Sequence, residues 1–329
     1  MELLALSPDM MRFVDADVSR GVSVVRHRRL LSKLEKAGYF NNPYAADVNN
    51  TAAQAFADKR GNCISYTSMF VALARHAGLK VHYQVVETRY PSYQVYAGLM
   101  MRNNHINAYV ETPRIDFADT RGETVDFNVV TPEEVANRRL VDDEFALSLF
   151  FANLAAEALM DDQARAGFAY LRRALELAPR NADLWVNLGA FYALHDQFEA
   201  ALEAYNVALN LAPQERAVWS GLGRTLQALG RDSEAAEYLT RVRNYRSRNP
   251  HYHFALAQTH YDAGDFVAAL QAADRAIAYD KNNARFLFMR GVTLYRLGRR
   301  EEGAEVIRAA RAAGRFDDLW LRFATDVDV

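Results

Sequence analysis

Three regimes of hydrophobic spacing divide the chain. In the first, apolar residues recur at helical intervals: Leu30, Leu31 and Leu34 follow the basic run Arg26-His27-Arg28-Arg29, which reads as a solvated helical face. Thr51 is placed to cap a short helix running to Phe56. Met69, Phe70, Leu73, Ala74 and Ala77 then form the apolar face of a helix entered at Gly61-Asn62-Cys63 and closed by Gly78 as its C′ residue. In the second regime the period falls to two. VHYQVVE, QVYAGLM, HINAYVE and ETVDFNV alternate as strands do, with the turn-rich TRYPSY and FADTRGE between them. Thr131 and Glu134 are spaced as a capping box that opens a helical connection.

The third regime repeats with a period of 34 residues from residue 148 onward. Its fourth position is large (Phe151, Trp185, Trp219, His253, Leu287) and its eighth small (Ala155, Gly189, Gly223, Ala257, Gly291). The twentieth is small again (Gly167, Ala201, Ala235, Ala269, Gly303), and the twenty-seventh holds Ala174, Ala208, Val242, Ala276 and Ala310. Small residues let paired helices approach, and the large one fills the gap between neighbouring pairs. A terminating proline stands at Pro179 and Pro213, whereas Ser247, Lys281 and Arg315 take that column later.

These spacings predict four segments. Residues 1–130 form an α+β domain, a central helix against an antiparallel sheet, with residues 1–50 as a helical lead-in. Residues 131–147 are the helical connection. Five two-helix units fill 148–315 as an all-α solenoid, and 316–329 cap it through Leu319, Trp320 and Phe323.

Composition works mainly by exclusion. A net charge of −2, with charged residues interspersed, leaves no electrostatic footprint for nucleic acid, and none is expected as partner. No run of about 18 apolar residues occurs, so no transmembrane segment is expected. The opening MELLALSPDMMRF lacks the basic and apolar regions of a signal peptide. As given, the chain reads as soluble and cytoplasmic, or as periplasmic or membrane-anchored if a targeting segment has been trimmed. One cysteine excludes an internal disulfide and fits both a reducing compartment and a reserved thiol. His251 and His253, at i and i+2, point apart on a helix, and MMRFVDADVSRG lacks the ligand series of a calcium loop. Neither metal nor cofactor is called for.

Candidate chemistry rests on Cys63, His105 and Asp126. A thiol at a helix mouth gains reactivity from the helix N-terminus and a neighbouring imidazole. HINAYV places His105, Asn107 and Tyr109 on one sheet face, with Asp126 on the next strand. Asp116 and Asp119 are alternative acids, within a segment that reads as a turn.

Two resemblances follow. The 34-residue columns resemble tetratricopeptide repeats over 148–315, which implies a concave surface, lined by the first helix of each unit, for a protein or peptide partner. Its lining here includes Arg224, Gln227, Phe254, Gln258, Tyr261, Arg285, Phe288 and Tyr295; that these are ordinary solvated or intramolecular residues stays open. RGNCISYTSMFVALARHAGL, a strand opening at His105 and VDFN resemble the transglutaminase-like branch of the papain-like cysteine proteases and acyltransferases over roughly residues 51–130. That resemblance implies Cys63 as nucleophile, His105 as general base and Asp126 as the acid orienting it. Where family members often carry an aromatic after the cysteine or histidine and a proline after the acid, this chain has Ile64, Ile106 and Phe127. The backbone N–H of Cys63 is one candidate oxyanion donor, and Gln54 is another. The reading is a cysteine-dependent amide hydrolase or acyltransferase served by a repeat array; the alternative is an adaptor whose transglutaminase-like domain no longer turns over.

Overall fold

The computed structural model describes residues 2–15, 17–40, 45, 48–88, 92–96, 99–103, 105–113, 120–127, 135–214 and 216–314. It divides into two compact units, Met1–Ala235 and Ala236–Val329.

The first unit opens with helices α1 (Pro8–Phe13), α2 (Ser23–Lys36), α3 (Ala52–Asp58) and α4 (Cys63–His76). Thr51 caps α3 in a reciprocal box with Gln54. Every residue of α4 from Ile64 to Ala74 is buried, so the helix is central and covered on all sides rather than on the single face its spacing predicts. Its polar residues are bonded internally: the buried Tyr83 hydroxyl donates to Ser68 Oγ at 2.8 Å. Gly78 follows with φ +71°, and a side chain there would meet Arg26, whose Nη1 donates to the carbonyl of Ala77 at 2.7 Å. The basic run is therefore not simply solvated. Arg26 ties α2 to the end of α4, His27 is buried, and Arg29 donates to the carbonyl of Asp17 at 2.7 Å.

Strands β1 (Val81–Thr88), β4 (His105–Pro113), β5 (Thr120–Val125) and β6 (Val135–Val141) make one antiparallel sheet in the order β5-β4-β1-β6. Val81, Tyr83 and Val85 pair with Val110, Ala108 and Ile106, and together they face Leu30, Leu34, Met69, Phe70 and Leu73. Two expectations are corrected here. QVYAGLM is two strands, β2 (Ser92–Tyr96) and β3 (Leu99–Asn103), which pair in a ribbon of their own, separate from the main sheet. The helix expected within 131–147 is the strand β6, whose interior positions are all exposed; Thr131 and Glu134 lie outside the described residues. An exposed edge strand carries charge, here Arg138 and Arg139, instead of apolar alternation, so its period is hidden.

Ten helices follow among the described residues, α5 (Asp143–Met160), α6 (Ala164–Leu177), α7 (Ala182–Leu194), α8 (Phe198–Leu211), α9 (Arg216–Ala228), α10 (Asp232–Ser247), α11 (Pro250–Asp262), α12 (Phe266–Tyr279), α13 (Ala284–Arg296) and α14 (Arg300–Ala313). Four of the predicted pairs pack together, α5 on α6, α7 on α8, α11 on α12 and α13 on α14. The small columns are close approaches: a Cβ on Gly189 would stand 2.8 Å from the Tyr205 ring, and one on Gly291 2.5 Å from Ile307. The large column carries a polar bond as well. Trp185 Nε1 donates to the carbonyl of Pro179 at 2.8 Å, Trp219 Nε1 to that of Pro213 at 3.1 Å, and His253 Nε2 meets that of Ser247 at 3.0 Å. The expected cap over 316–329 lies outside the described residues.

Candidate active site

Gly61-Asn62 shapes the entry to α4. The Asn62 side chain accepts from the backbone N–H of Ser65 at 3.1 Å and from its hydroxyl at 2.9 Å, which makes Cys63 the first residue of the helix. A Cβ on Gly61 would come within 2.6 Å of Ser65 Cβ, so that position is closed to larger residues. The loop is fastened from outside too. Asn50 donates its N–H to Ser65 Oγ at 2.8 Å, Asn62 Nδ2 donates to Asn49 Oδ1 at 3.2 Å, and Asn49 Nδ2 donates to the carbonyl of Phe150 in α5 at 2.9 Å. Cys63 is partly exposed at the end of this braced loop.

The helix runs parallel to β4. Thr67 Oγ1 donates to the carbonyl of Ile106 at 3.1 Å near its start, and Arg75 Nη2 reaches the carbonyl of Val81, the partner of Val110, near its end. Cys63 lies one turn before Thr67, about 6 Å further along the axis at 1.5 Å per residue. His105 is one strand residue before Ile106, about 3.3 Å. The thiol-bearing end of α4 therefore lies toward the end of β4 at which His105 stands.

His105, Asn107 and Asp126 occupy the alternate sheet positions to Ile106, Ala108 and Val125. Continuing the Ala108↔Val125 register puts Asp126 opposite Asn107 and diagonal to His105. His105 Nε2 lies 2.7 Å from Asp126 Oδ2, and Asn107 Nδ2 donates to the same oxygen at 2.9 Å. The histidine and aspartate side chains are 10% and 16% exposed, so the pair is shielded but reachable. Asn107 is 1% exposed, and its Oδ1 finds no partner among the described residues. Asn107 as a second holder of Asp126 is what sequence reasoning missed; its shared face with His105 was the available signal.

Phe127 explains one departure from the family pattern. Its ring stacks on Phe40 at 5.0 Å and on Tyr66 at 5.4 Å, with Phe70 at 6.3 Å. Where a proline would stiffen the chain after the acid, this sequence anchors it by aromatic packing on α4. Tyr66 is buried and donates to the carbonyl of Lys59 at 2.7 Å, which makes it part of the frame. Gln54 Oε1 accepts from both the N–H and the hydroxyl of Thr51, so its carbonyl is spent on the α3 cap. Asp116 and Asp119 lie outside the described residues.

The residues named for the repeat surface separate into two groups. Arg224 and Gln227 on α9 are exposed, and Gln258, Arg285 and Tyr295 are half-buried. Phe254, Tyr261 and Phe288 are buried in the hydrophobic core of the second unit, where Phe254 packs on Phe286 at 5.2 Å and Tyr261 on Phe266 at 5.2 Å. In these three residues bulk serves packing.

The sequence model of the transglutaminase-like superfamily matches residues 19–114, which takes in Cys63, His105 and α2. Three tetratricopeptide-repeat models match 170–203, 192–259 and 254–318. The chain is thus a transglutaminase-like domain joined to tetratricopeptide repeats. Among solved structures it is similar to YrrB, described as a TPR protein with an unusual peptide-binding site, at 20% identity over 54% of this chain and 92% of that one, TM-score 0.29. It is also similar to MamA 41-end from Desulfovibrio magneticus RS-1, at 14% identity over 52% of this chain and 96% of that one, TM-score 0.30. Likenesses this distant add nothing to the repeat assignment. No curated protein matches the chain.

Proposed function

We propose that the chain is a cysteine-dependent hydrolase or acyltransferase acting on an amide of a protein or peptide held by its repeats. The observation that carries this reading is the 2.7 Å His105–Asp126 bond at the strand end toward which the Cys63 end of α4 lies. Asp126, itself held by Asn107, fixes Nε2 of the imidazole and leaves Nδ1 as the nitrogen for the thiol. His105 takes the Cys63 proton, and the thiolate forms a bond to the amide carbonyl carbon. As the tetrahedral intermediate collapses, the C–N bond breaks and His105 returns its proton to the leaving amine. Water or a second amine, deprotonated by His105, then attacks the thioester and releases Cys63. The helix N-terminus favours negative charge at this position, and the N–H of Cys63 is a candidate donor to the oxyanion.

The test is the pH dependence of Cys63 alkylation by iodoacetamide. Rapid labelling at about pH 5–6 in the wild type, abolished in His105→Ala, is the expected result. If both proteins label as an ordinary thiol of pKa near 8.5, the ion pair does not form, and the chain is an adaptor acting through its repeats.

A further inference from the structure

We propose that the β2–β3 ribbon is the resident ligand of the groove formed by the first helices of repeats two and three, and that a partner's extended apolar segment enters by displacing it. Docking of the ribbon is independent of the reaction assigned above; only its consequence for His105 rests on that reading.

Three observations converge. First, β2 and β3 pair only with each other, in register from Ser92↔Asn103 to Tyr96↔Leu99. A two-stranded ribbon in water is marginal at best and needs a surface to cover it. Second, β3 lies against α7 and α9, which also lie against each other. These are the opening helices of consecutive repeats, the elements that line a tetratricopeptide groove. Third, that groove is apolar on α7. The stripe through Gly189 packs on Tyr205 of α8, while Val186 and Ala190 form a second stripe one position round the helix. They are only 4% and 6% exposed, although an open groove would leave them wet. The strand sequences SYQVY and LMMRN suit such a surface: six of their ten residues are Tyr, Val, Leu or Met, and Arg102 is their one charge.

The ribbon is held on short tethers. Three residues separate it from Thr88 at the end of β1, and one separates Asn103 from His105. At that tether length the local concentration of an internal ligand is of order millimolar, enough to exclude a weak external one. Displacement acts on the strand end that carries His105, so occupancy of the groove and access to the site are coupled.

The test is run in a Cys63→Ala background, so that failure of thiol chemistry has no bearing on it. A fluorescent peptide of residues 92–103 is titrated into the full chain and into a variant whose residues 92–103 are replaced by a Gly/Ser segment of equal length. Circular dichroism and the thermal transition establish that the variant is folded. The peptide is expected to bind the folded variant at least about tenfold more tightly than the intact chain. Equal affinity for both, or no binding to the folded variant, overturns the proposal. Should replacement unfold the chain, Leu99→Asp with Met101→Asp supplies the second measurement by hydrogen exchange. Faster exchange over 182–194 and 216–228, with α12 and α13 unaltered, is expected; unaltered exchange in α7 and α9 overturns it.

Discussion

His27 shows how little a residue's type says about its surroundings. In a run of four basic residues it is the buried one. Its ring packs edge-on to Phe70 at 6.4 Å, Nδ1 lies 3.3 Å from Glu123 Oε2, and Nε2 has no partner among the described residues. Burial pushes its pKa below the ordinary 6.5, with neighbouring Arg28 acting the same way and Glu123 opposing. The fold therefore prefers neutral His27, while the unfolded chain takes up a proton below pH 6.5. Stability from this group is complete above that pH and is lost as pH falls toward the depressed folded value. Thermal midpoints measured between pH 7.5 and 5.5 should fall in the wild type and fall less in His27→Gln. At the candidate site the same reasoning applies to Asn107, whose amide holds an acid. Asn107→Ala removes a bond to a carboxylate and should cost about 1.5–3 kcal/mol in urea unfolding, while Asn107→Ser leaves a hydroxyl donor and should cost less.

At the scale of elements, the parts legible in the sequence were those whose signal is local. The repeat columns are visible because their small residues answer contacts within one pair, as Gly189 does with Tyr205 and Gly303 with Tyr295. The order of Cys63, His105 and Asp126 was legible because a helix mouth and two strand ends each have a recognisable pattern. What stayed hidden depends on partners distant in sequence. VANRRLV is a strand only because the edge of β1 is open beside it, and its exposed interior positions leave no alternation to read. Phe254 and Phe288 sit at helix positions that a peptide groove and a packed core fill with the same residue types, and only three-dimensional packing separates the two. Gly61 supplies a prediction at this scale. Adding a methyl group would push against Ser65, whose hydroxyl is already bonded to Asn50 and Asn62. Gly61→Ala should destabilise the chain by about 1–3 kcal/mol and slow Cys63 alkylation at low pH, as measured by urea titration and by the labelling assay.

For the whole molecule, the decisive feature is α5. As the first helix of the first repeat it packs on α6, yet Ala146, Leu149 and Phe150 belong to the core around α4, and Asp143 pairs with Arg75 at 2.7 Å. The strand before it, β6, completes the sheet. A fragment ending at residue 141 should therefore lack a cooperative thermal transition, whereas one ending at residue 230 should keep it, as followed by circular dichroism. The same feature makes this a naturally split-ready protein. Cutting the chain once between Phe127 and Val135 would put the candidate triad on one piece and the last strand and the closing helix of its domain on the other. The two should elute together in gel filtration and come apart only in denaturant, each completing the other's fold.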